Sequence, residues 1–156
     1  MKALIRVPIL ALVGLMGGNL AVGAEVDTAS AEHGKYLVMI AGCNDCHTPA
    51  YSINGGQTPE AQWLTGEAFG WHGPWGTTYA TNLRLQVRHF TEEQWVVYAK
   101  TLKARPPMPW FGLNNMHEAD LRSIYRYLVQ LGPAGKEAPA YLPPEQKPPA
   151  PYAVFP

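Results

Sequence analysis

Apolar residues recur at three- and four-residue spacing in three stretches of the chain, and each stretch predicts an amphipathic helix. The first runs from about 31 to 41, with Tyr36, Leu37 and Ile40 on one face, and Gly42 ends it. Thr91 and Gln94 stand at the spacing of a capping box and open the second. It continues to about 103 with Trp95, Val96, Tyr98, Ala99 and Leu102 turned inward, until Arg105-Pro106-Pro107 stops it. The third spans about 118 to 131 through Leu121, Ile124, Tyr125, Leu128 and Leu131, and Gly132-Pro133 closes it. Residues 48–88 mix glycine, threonine, proline and tryptophan without a sustained period, which predicts long structured loops that must wrap something. From Gly132 onward eight of 25 residues are proline. No packed element is expected there, only an extended tail with Tyr141, Leu142, Tyr152, Val154 and Phe155 available to dock it.

Composition matters mainly at the two ends. The chain has 156 residues, 47% hydrophobic and 15% charged, enough for one small domain. Twelve basic side chains balance twelve acidic ones without a basic run, so the electrostatic footprint of a nucleic-acid binder is missing. The hydrophobic excess is concentrated in residues 1–24, where Lys2 and Arg6 precede an apolar stretch and Val22-Gly23-Ala24 supplies the small residues of a cleavage site before Glu25. This predicts an export signal over 1–24, a domain over 25–132 and a Pro-rich tail over 133–156. Export places the mature chain in the periplasm, with 10 basic and 12 acidic side chains. An uncleaved anchor is the competing reading and the only route to a membrane, weakened by Pro8, Gly14, Gly17, Gly18 and Asn19.

Both cysteines fall in Cys43-Asn44-Asp45-Cys46-His47, directly after the first predicted helix. C-x-x-C-H is the attachment signature of haem c: two thiols add across the two vinyl groups of one porphyrin, and the next residue brings an imidazole nitrogen to the iron. A thioredoxin-type dithiol would not need the histidine and would want a βαβ setting, and a zinc site would lack two ligands. A second axial ligand comes from methionine or histidine. Met108, in the proline-stiffened run Arg105-Pro106-Pro107-Met108-Pro109-Trp110, is the first choice. Met116 reads as a packing residue beside the last helix, and Met39 as core. His33, His72, His89 and His117 are the remaining candidates, each more ordinarily a surface histidine. A filled sixth position suits electron transfer, and an open one suits gas binding or peroxide chemistry.

Over residues 31–132 the chain resembles the class I c-type cytochromes, in the bacterial branch of single-haem carriers and haem domains of dehydrogenase cytochrome subunits. The resemblance rests on Gly34-Lys35-Tyr36-Leu37 leading into Ala41-Gly42-Cys43-Asn44-Asp45-Cys46-His47-Thr48-Pro49. It also rests on residues 73–83, on Pro107-Met108-Pro109-Trp110, and on Asp120-Leu121 through Tyr127-Leu128. It implies an all-α fold, a small bundle of three to five helices with long haem-wrapping loops. First and last helices would cross where Gly34 meets Tyr127 or Tyr125. The resemblance further implies that the Pro74 carbonyl accepts a hydrogen bond from the axial imidazole, that Trp75, Tyr79 and Asn82 lie against the haem, and that Arg84 or Arg105 pairs with a propionate. The branch departs here in two places: Arg84-Leu85-Gln86-Val87-Arg88 replaces a Thr-Pro-Asp turn, and His117 stands where a Ser or Thr cap is usual.

These readings converge on a periplasmic monohaem cytochrome c, not itself an enzyme, carrying single electrons through a His47/Met108-ligated haem between redox proteins such as a dehydrogenase, an oxidase or another cytochrome. The alternative is a haem subunit dedicated to one periplasmic dehydrogenase complex, with the tail as interface. A haem enzyme or gas sensor with an open distal site is the third reading.

Overall fold

The computed structural model describes residues 28–156. The export segment expected over 1–24 lies outside the described residues. Six helices are present among them: α1 Ala31–Ile40, α2 Cys43–His47, α3 Leu83–Gln86, α4 Glu92–Thr101, α5 Trp110–Asn115 and α6 Glu118–Leu131. None is long and apolar enough to cross a membrane.

The three periodic stretches fold as α1, α4 and α6. Ser30 caps α1 by accepting from the His33 backbone N–H. Thr91 and Gln94 exchange both bonds of the capping box at the start of α4. Along α6, Leu121, Ser123, Ile124, Tyr127 and Leu128 are buried on one stripe, and α1 crosses that stripe at Gly34. A Cβ at Gly34 would stand 2.0 Å from the Ser123 carbonyl oxygen and 2.9 Å from the Tyr127 Cβ, so the two backbones meet only because this residue has no side chain. The main core gathers Val38, Trp63, Leu64, Val87, Trp95, Ile124, Tyr127 and Leu128, and Val96, Ala99 and Leu121 form a satellite between α4 and α6. Trp95 donates its indole N–H to the Leu121 carbonyl at 3.0 Å, and Glu92 receives Arg122 and Arg126 from α6.

The all-α expectation is corrected by a three-stranded sheet of order β2-β1-β3, with β1 Gly70–Gly73, β2 Gly76–Thr78 and β3 Tyr152–Val154. β1 and β2 pair antiparallel with Trp71 opposite Thr78, and β3 joins β1 in parallel with Trp71 opposite Ala153. Strands of three or four residues built on glycine are too short to show a two-residue alternation, which is why residues 48–88 read as loop. The same segment also holds α3 and two single 3₁₀ turns, Glu60–Gln62 and Val87–His89. The tail likewise contributes an element where none was expected. Its prolines flank an edge strand instead of interrupting one, which leaves Tyr152–Val154 free to pair. Two smaller corrections follow: α5 occupies a stretch read as loop, and Met39, read as core, is exposed at the end of α1.

Candidate functional site

Gly42 sits at φ 71°, in the left-handed region, and turns the chain sharply from α1 into α2. The single turn of α2 then carries Cys43, Cys46 and His47, whose spacings of three and four stack them on one side of the helix. The turn is fixed from below. Thr48 donates its hydroxyl to the Asn44 side-chain oxygen at 2.7 Å and accepts the Leu64 N–H at 2.7 Å, with Asn44, Thr48 and Leu64 all buried. His47 Nδ1 donates to the Thr81 carbonyl at 2.7 Å, which sets the tautomer and leaves Nε2 as the free lone pair. Burial lowers the His47 pKa from its ordinary value, with the Thr81 carbonyl opposing the shift. Burial also pushes the Cys43 thiol up to about 11 and raises that of Cys46, the nearby Asp45 adding to both. At neutral pH the set is two protonated thiols and a neutral imidazole.

These three residues line one apolar cavity, and the rest of its wall comes from three other parts of the chain. The loop between α4 and α5 supplies Arg105, Pro107 and Met108; the sheet supplies Trp71 and Thr78, with Tyr79 just past the end of β2; α1, α4 and α6 supply Val38, Trp95 and Ile124. Of the residues singled out from sequence, Cys43, Cys46, His47, Tyr79, Arg105 and Met108 are therefore brought together.

Pro74, Trp75 and Asn82 are not. Pro74 is exposed in the turn between β1 and β2, and the carbonyl facing the imidazole is that of Thr81. Trp75 packs its ring under Gly73 and against Phe155. Asn82 is fully buried, caps α3 by accepting the Leu85 N–H, and donates to the carbonyls of Ala134 and Lys136. Arg84 is likewise spent on structure, donating to the carbonyls of Gly132, Ala61 and Leu131. Met116 packs against both core clusters and does not line the cavity. The four other histidines lie elsewhere: His33 pairs with Asp120, His72 bonds the Thr77 hydroxyl, and His89 and His117 are exposed.

The sequence reading missed Trp71, Thr78 and Thr81. Trp71 and Thr78 are cross-strand partners, and each carries a buried polar atom, the indole Nε1 and the hydroxyl Oγ1, with no hydrogen-bond partner. Two adjacent unsatisfied donors in a cavity wall match an acceptor such as a carboxylate on whatever fills the cavity. Among the described residues no three His, Cys, Asp or Glu side chains are grouped as a bare metal ion would require. The donor set is instead a pair of thiols, one oriented imidazole and one thioether around an apolar space.

The chain is similar to the fructose dehydrogenase cytochrome subunit of Gluconobacter japonicus, with 28% identity over 116 residues. The match covers 68% of this chain and 22% of that protein, so the chain spans about a fifth of the relative's length. No protein-family model matches the chain, and no solved structure does.

Proposed function

We propose that the chain is a periplasmic electron-transfer protein that holds one haem c in this cavity, attached through Cys43 and Cys46 and ligated by His47 and Met108. The observation that carries the reading is the gathering of both thiols, the free Nε2 of His47 and the Met108 loop around one apolar space. The two unsatisfied donors, Trp71 Nε1 and Thr78 Oγ1, suit the carboxylates that such a ring carries. When bound, the group supplies a one-electron iron couple.

The chain's own residues do the rest. Cys43 and Cys46 would hold the ring, each S–H adding across one vinyl group to give a thioether with no net change of oxidation state. The Thr81 carbonyl holds the imidazole in one orientation and raises its basicity toward the metal. A thioether from Met108 favours the reduced state and a relatively high potential. Trp71, Tyr79, Trp95 and Ile124 keep water from the ring, which limits reorganisation when charge changes.

A second reading keeps the same haem site and makes the chain a subunit of a periplasmic dehydrogenase complex. The likeness to a dehydrogenase cytochrome subunit favours it.

The first test is the visible spectrum of the matured protein, oxidised, reduced, and reduced under CO, beside Met108→Ala. A low-spin spectrum with the weak red sulfur-to-iron band, lost in Met108→Ala, and no CO shift in the parent is expected. A high-spin parent that binds CO readily, unchanged by the substitution, would move the site to a sensing or catalytic haem. Stable co-purification with a dehydrogenase would decide for the second reading over a free carrier.

A further inference from the structure

The loop that carries Met108 is poorly tethered by its own backbone. Among the described residues no hydrogen bond joins 103–107 to the rest of the molecule, and the Met108 carbonyl receives only the nearby Trp110 N–H. The one polar hold on this stretch is Arg105, whose guanidinium lies 3.8 Å over the ring of Tyr141 in the tail.

Tyr141, in contrast, is tied to the sheet on one side although its ring is partly exposed. Its hydroxyl donates to the Trp75 carbonyl at 3.1 Å, and the next residue, Leu142, exchanges two backbone bonds with Thr77 at 2.7 and 3.2 Å. Gly76 makes this approach possible: a Cβ there would stand 2.3 Å from the Leu142 oxygen and 2.8 Å from the Tyr141 ring. Farther along, β3 pairs with β1, and Phe155 packs on both Trp71 and Trp75. At its root the tail is held by Asn82, the neighbour of the Thr81 whose carbonyl orients His47.

We infer that Tyr141 is a positioning residue for the Met108 thioether, acting through Arg105, and that the tail thereby braces the loop side of the cavity against the sheet. The inference rests on the reading of Met108 as an iron ligand. A neutral thioether stays on the metal only as long as its loop keeps the sulfur in place, and beyond Leu102, whose carbonyl accepts from Asn114, the anchor of 103–107 is the Tyr141 ring.

The test uses the haem-loaded protein with Tyr141→Leu, Tyr141→Phe, Arg105→Gln and the Leu/Gln double variant. The sulfur-to-iron band is followed on warming, beside far-UV circular dichroism for global unfolding and CO uptake by the reduced form. Tyr141→Leu and Arg105→Gln are expected to lose the band at a lower temperature than the parent while the dichroism still reports a folded chain. Both should admit CO severalfold faster. Tyr141→Phe keeps the ring but gives up the bond to the Trp75 carbonyl, and should fall between the parent and Tyr141→Leu, and the double variant should be no worse than either single one. If the band in Tyr141→Leu persists to global unfolding, or Tyr141→Phe loses it as early as Tyr141→Leu, the inference is overturned. A parent with no sulfur band, or one that keeps it in Met108→Ala, overturns the ligand reading and the inference with it; a parent with the band and an indifferent Tyr141→Leu overturns the inference alone.

Discussion

Gly34 is the residue whose smallness the fold depends on most directly. An alanine methyl would meet the Ser123 carbonyl and the Tyr127 Cβ, both on the buried stripe of α6, and neither is a flexible side-chain end that can yield. Gly34→Ala is expected to cost about 3 kcal/mol by forcing the two helices apart, read as a lowered denaturation midpoint with an unchanged slope. At this scale the sequence was informative wherever chemistry is carried by a side chain. Cys43, Cys46, His47 and Met108 stand out by type and spacing, and the structure gathers them around one cavity. It was silent where chemistry is carried by the backbone. The carbonyl that meets His47 belongs to Thr81 and not to Pro74, and any residue can offer a carbonyl, so no residue type marks the position. Asn82 and Arg84 misled for a related reason: a polar side chain near an expected site is as readily consumed by backbone carbonyls as by a ligand.

Among the elements, α4 and α6 were legible because ten or more residues repeat one period, and Thr91 with Gln94 marks a start. The strands were not legible, since three residues cannot declare a period and β3 finds its partner only when the chain returns to Gly70–Gly73. The helix pair also has an electrostatic joint. Glu92 accepts from Arg126 at 2.9 and 3.0 Å and from Arg122 at 3.2 Å, and these bonds hold its carboxyl below the usual value of 4.5. A depressed folded pKa contributes stability that is complete above the unfolded value and fades as pH falls through the folded one. Glu92→Gln is therefore expected to lose about 1 kcal/mol near neutral pH and to flatten the fall in stability below pH about 4.5, measured as denaturation midpoints across pH.

For the molecule as a whole, the tail and the helical core are one unit, and Arg84 is the joint between them. Its guanidinium, nearly buried, satisfies carbonyls of Ala61 in the first long loop, Leu131 at the end of α6 and Gly132 at the root of the tail. Arg84→Met leaves those carbonyls without their donor and is expected to cost about 3 kcal/mol, with raised amide exchange reaching β3 as well as the end of α6. The conformation of the tail was only half visible at this scale. Proline density announced an extended tail, but extended chain can still be hydrogen-bonded chain when a neighbouring strand offers a free edge.

The tail touches the sheet at two separate anchors, Leu142 on Thr77 and Tyr152–Val154 on β1, and Glu145, Gln146 and Lys147 between them are exposed. Closing a loop costs only about 0.6 kcal/mol for each doubling of its length. The interval between the anchors can thus change in size at little cost. Extra sequence, a tether or a whole folded partner grafted between Gln146 and Lys147 would hang outside the molecule while both anchors kept their grip.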